Sequence, residues 1–226
     1  MILPSLKNGA TKMDYAAQRN KMVDSQIRTT DVTSHSVLNA FLAVERENFV
    51  AERLKSIAYI DNDLEIAPGR YMMAPSPLAK LMQLAGISKT DSVLEIGIGT
   101  GYTTAVLSHL AGSVVALESD PALVEAAKAN LGDIGNVTIV TGDLATGHAA
   151  KAPYDVIFLN GAVDQIPAAL FEQLKQGGRL VAVIGEGLAS GARIFVREQG
   201  TNSERFVFNA SVRKLPGFDK AAEFVF

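Results

Sequence analysis

The 226-residue chain contains no cysteine. Disulfides, cysteine-ligated zinc, iron–sulfur clusters and thiol catalysis are therefore excluded. Histidine is scarce as well: His35, His109 and His148 stand far apart and show no metal-ligand spacing, which argues against a histidine-built metal site. No apolar run reaches the roughly 18–20 residues that span a bilayer. The first residues, Met1-Ile2-Leu3-Pro4-Ser5-Leu6-Lys7, are broken by proline and lysine and lack a signal-peptide apolar core. A cytoplasmic location without a membrane partner is expected. The net charge of −3 comes from 21 basic and 24 acidic residues. The signs are interspersed, so no nucleic-acid partner is expected either.

What is present suffices for one substantial core: 48% of residues are hydrophobic and 20% charged, close to the soluble globular average. We expect a single domain over residues 1–226, with a loose tail at 1–12, a helical region at 13–90 and an α/β core at 91–226. Helices are expected at 14–28, from Thr33 or Ser34 onward, and from Pro75-Ser76-Pro77 to Gly86. Residues 45–74 read as loops and short strands. Beyond residue 91 short apolar strands alternate with helices. Strands are expected at 92–96, 113–118, 137–141, 155–159 and 179–184, and helices at 100–111, 121–131 and 167–175. Continuous Val/Ile/Leu strands between helices indicate a parallel sheet covered on both faces. Residues 192–198 and 205–210 alternate around Gln199-Gly200-Thr201-Asn202 and predict a terminal antiparallel hairpin. The fold class is thus α/β: a Rossmann-like, doubly wound, mostly parallel seven-stranded sheet with an antiparallel C-terminal hairpin and an N-terminal helical extension.

The sharpest motif is Val93-Leu94-Glu95-Ile96-Gly97-Ile98-Gly99-Thr100-Gly101-Tyr102, placed where a strand turns into a helix. Glycines there let backbone approach a ligand, and the helix start offers unpaired N–H groups. A dinucleotide fingerprint needs a small residue at the position of Tyr102. A P-loop needs Lys-Ser/Thr after the last glycine. Neither is met. The acidic residue followed by three spaced glycines instead resembles the cofactor loop of S-adenosylmethionine-dependent methyltransferases. Glu118 ends the second strand of the core about 20 residues on, where a Rossmann-type site holds ribose hydroxyls. Gly142-Asp143-Leu144 follows the third.

The resemblance extends further. Met22-Val23-Asp24-Ser25-Gln26-Ile27, Val37-Leu38-Asn39-Ala40-Phe41, Val44-Glu45-Arg46-Glu47-Asn48-Phe49-Val50 and Ala58-Tyr59 are similar to the N-terminal half of protein-L-isoaspartate O-methyltransferases. Ala152-Pro153-Tyr154-Asp155-Val156-Ile157 and the stretch Pro167 to Leu180 resemble that family's later strand, helix and strand. This resemblance implies S-adenosylmethionine as cofactor. It would be held by Glu95, Gly97, Gly99, Thr100, Gly101 and Tyr102, with Glu118 on the ribose and Asp143 and Leu144 on the adenine side. The implied reaction is methyl transfer to an isoaspartyl or related carboxylate of a protein or peptide, as a step of protein repair. Such a carboxylate is already ionised at pH 7 and needs no general base, only alignment.

The family's Thr-Ile-Ser-Gln-Pro segment is here Tyr71-Met72-Met73-Ala74-Pro75. Met73 stands at the position of the serine that lies near donor and substrate. Methionine donates no hydrogen bond, and Ser76, beyond the proline, is expected to point elsewhere. Asn160-Gly161-Ala162 and Leu144 are further departures. The resemblance thus leaves the cofactor side nearly intact and weakens the isoaspartyl side. A methyltransferase with another substrate and a non-catalytic cofactor-binding protein stay open beside the isoaspartyl reading.

Overall fold

The computed structural model describes residues 13–185, 187–199 and 201–220. The expected tail at 1–12 and the loop residue Gly200 lie outside them. Strands β3 (Ser92–Ile96), β4 (Ser113–Glu118), β5 (Val137–Thr141), β6 (Tyr154–Val163), β7 (Leu174–Ile184), β8 (Gly191–Glu198) and β9 (Thr201–Asn209) form one sheet in the order β5-β4-β3-β6-β7-β8-β9. Pairs from β5 to β7 are parallel and the last two antiparallel. A separate antiparallel hairpin joins β1 (Leu64–Ala67) to β2 (Arg70–Met72). The chain leaves β3 toward β4 and β5, then returns to lay β6 against the other side of β3. The crevice at the carboxyl ends of β3 and β6 is therefore the topological switch point, where ligands bind in open α/β sheets.

Successive side chains of a strand face opposite sides. Val93, Val156 and Phe158 join the core shared with the N-terminal helices and α3 (Pro75–Ala85), α4 (Tyr102–Ser108) and α5 (Pro121–Leu131). Leu94, Ile96, Ile157 and Leu159 join a second core under α6 (Ala168–Glu172). Both faces are thus dry, as the uninterrupted apolar strands require.

Several elements differ from their sequence expectation, each for a local reason. The first helix is α-helical only over α1 (Tyr15–Met22), capped by Asp14, which accepts from the Ala17 amide at 3.0 Å. It continues as a π turn at Val23–Ile27 and a 3-10 turn at Arg28–Thr30. There the Ser25 and Thr29 hydroxyls donate to the Lys21 and Ser25 carbonyls, a back-bonding that competes with regular helix. Helix α4 starts only at Tyr102, because Gly101 is left-handed. Helix α6 stops at Glu172, where the buried Gln173 amide donates back to the Ala169 carbonyl at 3.0 Å and to Thr146. Strand β6 runs past Leu159 to Val163, with a register slip between Phe158 and Ala162. Ala162 then pairs with Val183 of β7 and, on its other side, with the segment 213–215, by Ala162 N–H to Arg213 O at 2.9 Å and Leu215 N–H to Ala162 O at 2.8 Å.

The N-terminal layer consists of α1, α2 (His35–Ala43) and two 3-10 turns, Arg46–Phe49 and Glu52–Ile57, which the sequence did not signal. Arg46, fully buried, ties this layer to the sheet. Its Nε donates to the Ala58 carbonyl at 2.7 Å and its Nη2 to the Met73 carbonyl at 2.8 Å. Its guanidinium sits 4.6 Å from the centre of the Tyr102 ring. Removing it orphans two carbonyls and a ring face together. Arg46→Ala is expected to lower unfolding free energy by about 2–6 kcal/mol, from two buried carbonyls left unsatisfied at about 1–3 kcal/mol each. Arg46→Lys, with a single point of donation, should recover only part of that. Urea unfolding checks both.

Candidate active site at the switch point

Each strand of the core delivers one piece of the site by its carboxyl end. Strand β3 ends in the glycine turn, with Gly97, Gly99 and Gly101 at φ +84°, +58° and +96°. Only glycine adopts such a succession without strain. The turn is pinned from β4: the Leu117 carbonyl accepts from the Gly97 amide at 2.9 Å, and Glu118 Oε2 accepts from the Gly99 amide at 2.9 Å.

Glu118 has no exposure to water. Besides Gly99, its Oε1 accepts from the Ser119 and Asp120 amides at 2.8 and 3.1 Å. Arg70, at the start of β2, approaches as a fork: Nη1 donates to Oε1 at 2.6 Å and Nη2 to Oε2 at 2.7 Å. Burial works against the charged carboxylate. The Arg70 hydrogen bonds and charge, with the Gly99 and Asp120 amides, outweigh it and hold Glu118 below the usual carboxylate range.

Glu95, one strand away, behaves in the opposite way. It is fully buried and meets no cation. Its Oε2 accepts from Thr104 Oγ1 at 2.6 Å and its Oε1 from Asn160 Nδ2 at 3.1 Å. Desolvation dominates and pushes it up to about 8, so it is largely protonated at neutral pH. Asn160, 9% exposed, keeps its Oδ1 without a partner.

The remaining residues singled out by sequence are dispersed around this centre. Thr100 Oγ1 donates to the Phe49 carbonyl at 2.7 Å, fastening the turn to the N-terminal layer. Tyr102 is buried edge-on against Phe41 and Phe49. Asp143 is exposed and caps its own turn through the Ala145 and Thr146 amides, while Leu144 is buried in the second core. Met73 is buried, 3% exposed, and offers no donor. Ser76, as expected, points away: its hydroxyl donates to Asp61 Oδ2 at 2.6 Å and to the Gln26 carbonyl at 3.1 Å. Tyr71 stacks under the Arg213 guanidinium at 5.0 Å and borders an open cavity of about 560 Å³ that also touches Asp63 and Gly187.

Sequence reasoning missed three residues that press on the glycine turn. A side chain carbon added at Gly99 would come within 2.6 Å of Ile66 Cδ1. One added at Gly97 would overlap Leu215, and one at Gly161 would lie 2.7 Å from the same side chain. Arg70 is the third. The Pro68-Gly69 dipeptide signals the hairpin that carries Ile66 and Arg70. Nothing local signals that Arg70 reaches a carboxylate 48 positions away.

The model of the family described as protein-L-isoaspartate(D-aspartate) O-methyltransferase matches residues 17–214. The protein-L-isoaspartate O-methyltransferase of Koribacter versatilis is 39% identical over 173 residues, covering 76% of this chain and 78% of its own. That of Protochlamydia amoebophila is 39% identical over 197 residues, 86% and 94% of the two chains. A solved protein-L-isoaspartate O-methyltransferase superposes with a TM-score of 0.77 at 32% identity, over 88% of this chain and 66% of that one, just under two thirds of its length. A Plasmodium falciparum structure in complex with S-adenosyl-L-homocysteine, 18% identical with a TM-score of 0.73, shares the fold. The chain therefore belongs to the protein-L-isoaspartate O-methyltransferase family, whose members are S-adenosylmethionine-dependent enzymes.

Proposed function

We propose that this protein is an S-adenosylmethionine-dependent methyltransferase acting on protein carboxylates, with isoaspartyl residues as poor substrates. The observation that carries the first half is the turn Gly97–Gly101 at the switch point, held against the strand-end carboxylate Glu118. The polar groups suit the cofactor: backbone bared by glycine, a buried carboxylate at the ribose position, and Asp143 on the following loop. The space does not. The void bordered by Ile66, Ile98 and Thr100 measures about 10 Å³, against roughly 300–1,000 Å³ for small-molecule pockets. Ile66 borders that void and lies over Gly99, and Arg70 occupies Glu118, so in this conformation the protein's own side chains cover the turn and its carboxylate.

The second half rests on the substrate side. Around Met73 the hydroxyl donors that could receive a carboxylate are spent or absent, while Arg213 borders the same small void as Met73. Met73 has no donor, and the Ser76 hydroxyl donates to Asp61 and to the Gln26 carbonyl. A carboxylate brought there loses water and gains no hydroxyl donor from 73. Each missing charged hydrogen bond costs about 1.5–3 kcal/mol, a rate loss of roughly tenfold to hundredfold where it is felt in the transition state. We place the protein in the cytoplasm as one folding unit. Among the described residues no helix is long and apolar enough to cross a membrane.

Two outcomes are expected. In a methyl-transfer assay with labelled cofactor, an isoaspartyl peptide is methylated slowly and its aspartyl twin not at all. The double substitution Tyr71→Thr, Met73→Ser raises the isoaspartyl rate by about tenfold or more. Wild-type turnover unaffected by those substitutions would falsify the donor argument. In a thermal-shift experiment S-adenosylhomocysteine raises Tm and NAD does not. Tyr102 occupies the position where a pyrophosphate site needs a small residue, and it is locked into the aromatic core. Stabilisation by NAD alone contradicts the methyltransferase reading.

A further inference from the structure

Arg70 and Ile66 belong to one small element, and both enter the cleft from it. Strand β1 supplies Ile66, which lies on Gly99; strand β2 supplies Arg70, which takes both oxygens of Glu118. Between them Pro68 and Gly69 form an exposed tip, and a side chain carbon at Gly69 would meet nothing within 4 Å. The base of the hairpin is held instead. Leu64 and Met72 are 4% exposed in the core, Asp63 Oδ1 accepts from the Ala74 amide at 2.8 Å, and Arg46 holds the Met73 carbonyl. A hairpin fixed at its base, free at its tip, and inserted by two side chains into a ligand crevice has the construction of a lid.

We infer that the β1–β2 hairpin is a self-blocking lid: Arg70 occupies the Glu118 carboxylate and Ile66 the space over Gly99, so that cofactor binding requires the hairpin tip to lift. This rests on the reading of Glu118 and the glycine turn as the cofactor site. The competition is direct. Glu118 Oε1 already accepts from Arg70 and the Ser119 and Asp120 amides, and Oε2 from Arg70 and Gly99. A carboxylate oxygen has about two lone-pair sites, and on Oε2 Arg70 and Gly99 take both, so a ribose hydroxyl can donate to Oε2 only where Arg70 has withdrawn. The apparent dissociation constant is then the intrinsic one divided by the fraction of molecules with the lid open.

The test is calorimetric titration of S-adenosylhomocysteine into the full chain and into two separate variants. Arg70→Ala removes the competitor for Glu118, and Kd should fall about tenfold, the ratio that one lost charge-assisted contact sets. Ile66→Ala leaves the ion pair in place and clears the space over Gly99. Kd should fall several-fold, and this variant decides the matter if Arg70→Ala does not fold. Unchanged or weaker affinity in folded variants, with the wild type binding, overturns the lid and makes Arg70 an ordinary part of the wall. Absence of binding by wild type and both variants overturns the cofactor reading of the turn, and the lid with it.

Discussion

A carboxylate shut away from water must find its donors and its counter-charge inside the protein, and Glu118 finds them on three different elements. Its own strand places it at the sheet edge of the crevice. The Gly99 amide comes from the turn after β3, the Ser119 and Asp120 amides from the entry to α5, and the guanidinium from the hairpin. One group thereby sets the curvature of the glycine turn, the start of a helix and the position of the hairpin. Its folded-state acidity is held below the usual range. The stabilisation is therefore fully present above the unfolded carboxylate pKa and fades only as pH falls through the lowered value.

The core sheet was legible in the sequence because its inner strands are dry on both faces and its edge strand β5, though partly exposed, is still a short β-branched run. Residues 92–96, 113–118 and 137–141 are bounded where the apolar runs start and stop. α5 matches its expected bounds too, because Asp120, Pro121 and Gly132 punctuate it. Legibility fails where tertiary contacts overrule local pattern. The continuation of β6 past Leu159 rests on a slipped register with β7 and a bridge to residues 213–215, which no window of β6 contains. The short 3-10 turns around Arg46 depend on a guanidinium reaching Ala58 and Met73. The site shows the same split. Its glycines and Glu118 announce themselves by spacing. Arg70, Ile66 and Leu215 matter only because the fold brings them onto that spacing.

The departures on the substrate side also make physical sense together. A serine at 73 in this dry setting would need a partner when no substrate is bound, whereas methionine fills the volume with a flexible apolar chain. The neighbouring Tyr71 stacks its ring under Arg213. Arg46 fixes the backbone of this stretch from below while Tyr102 covers the guanidinium. The N-terminal layer therefore holds residues 71–73 through the Met73 main chain, a contact that tolerates side-chain change at 71 and 73.

The two buried glutamates divide the electrostatic work of the cleft floor. Burial without a cation keeps Glu95 protonated near neutrality, pushed up to about 8, and the charge of Glu118 adds to that shift. With Arg70 in place, the group formed by Glu95, Glu118 and Arg70 carries no net charge at pH 7. Lifting the hairpin removes the one cation and leaves the Glu118 charge held by backbone amides alone. In a water-poor crevice an uncompensated negative charge favours a ligand that brings a positive one. The same arginine that closes the site therefore sets its polarity when it leaves: closed, the floor is neutral and filled; open, it is anionic and lined by glycine backbone.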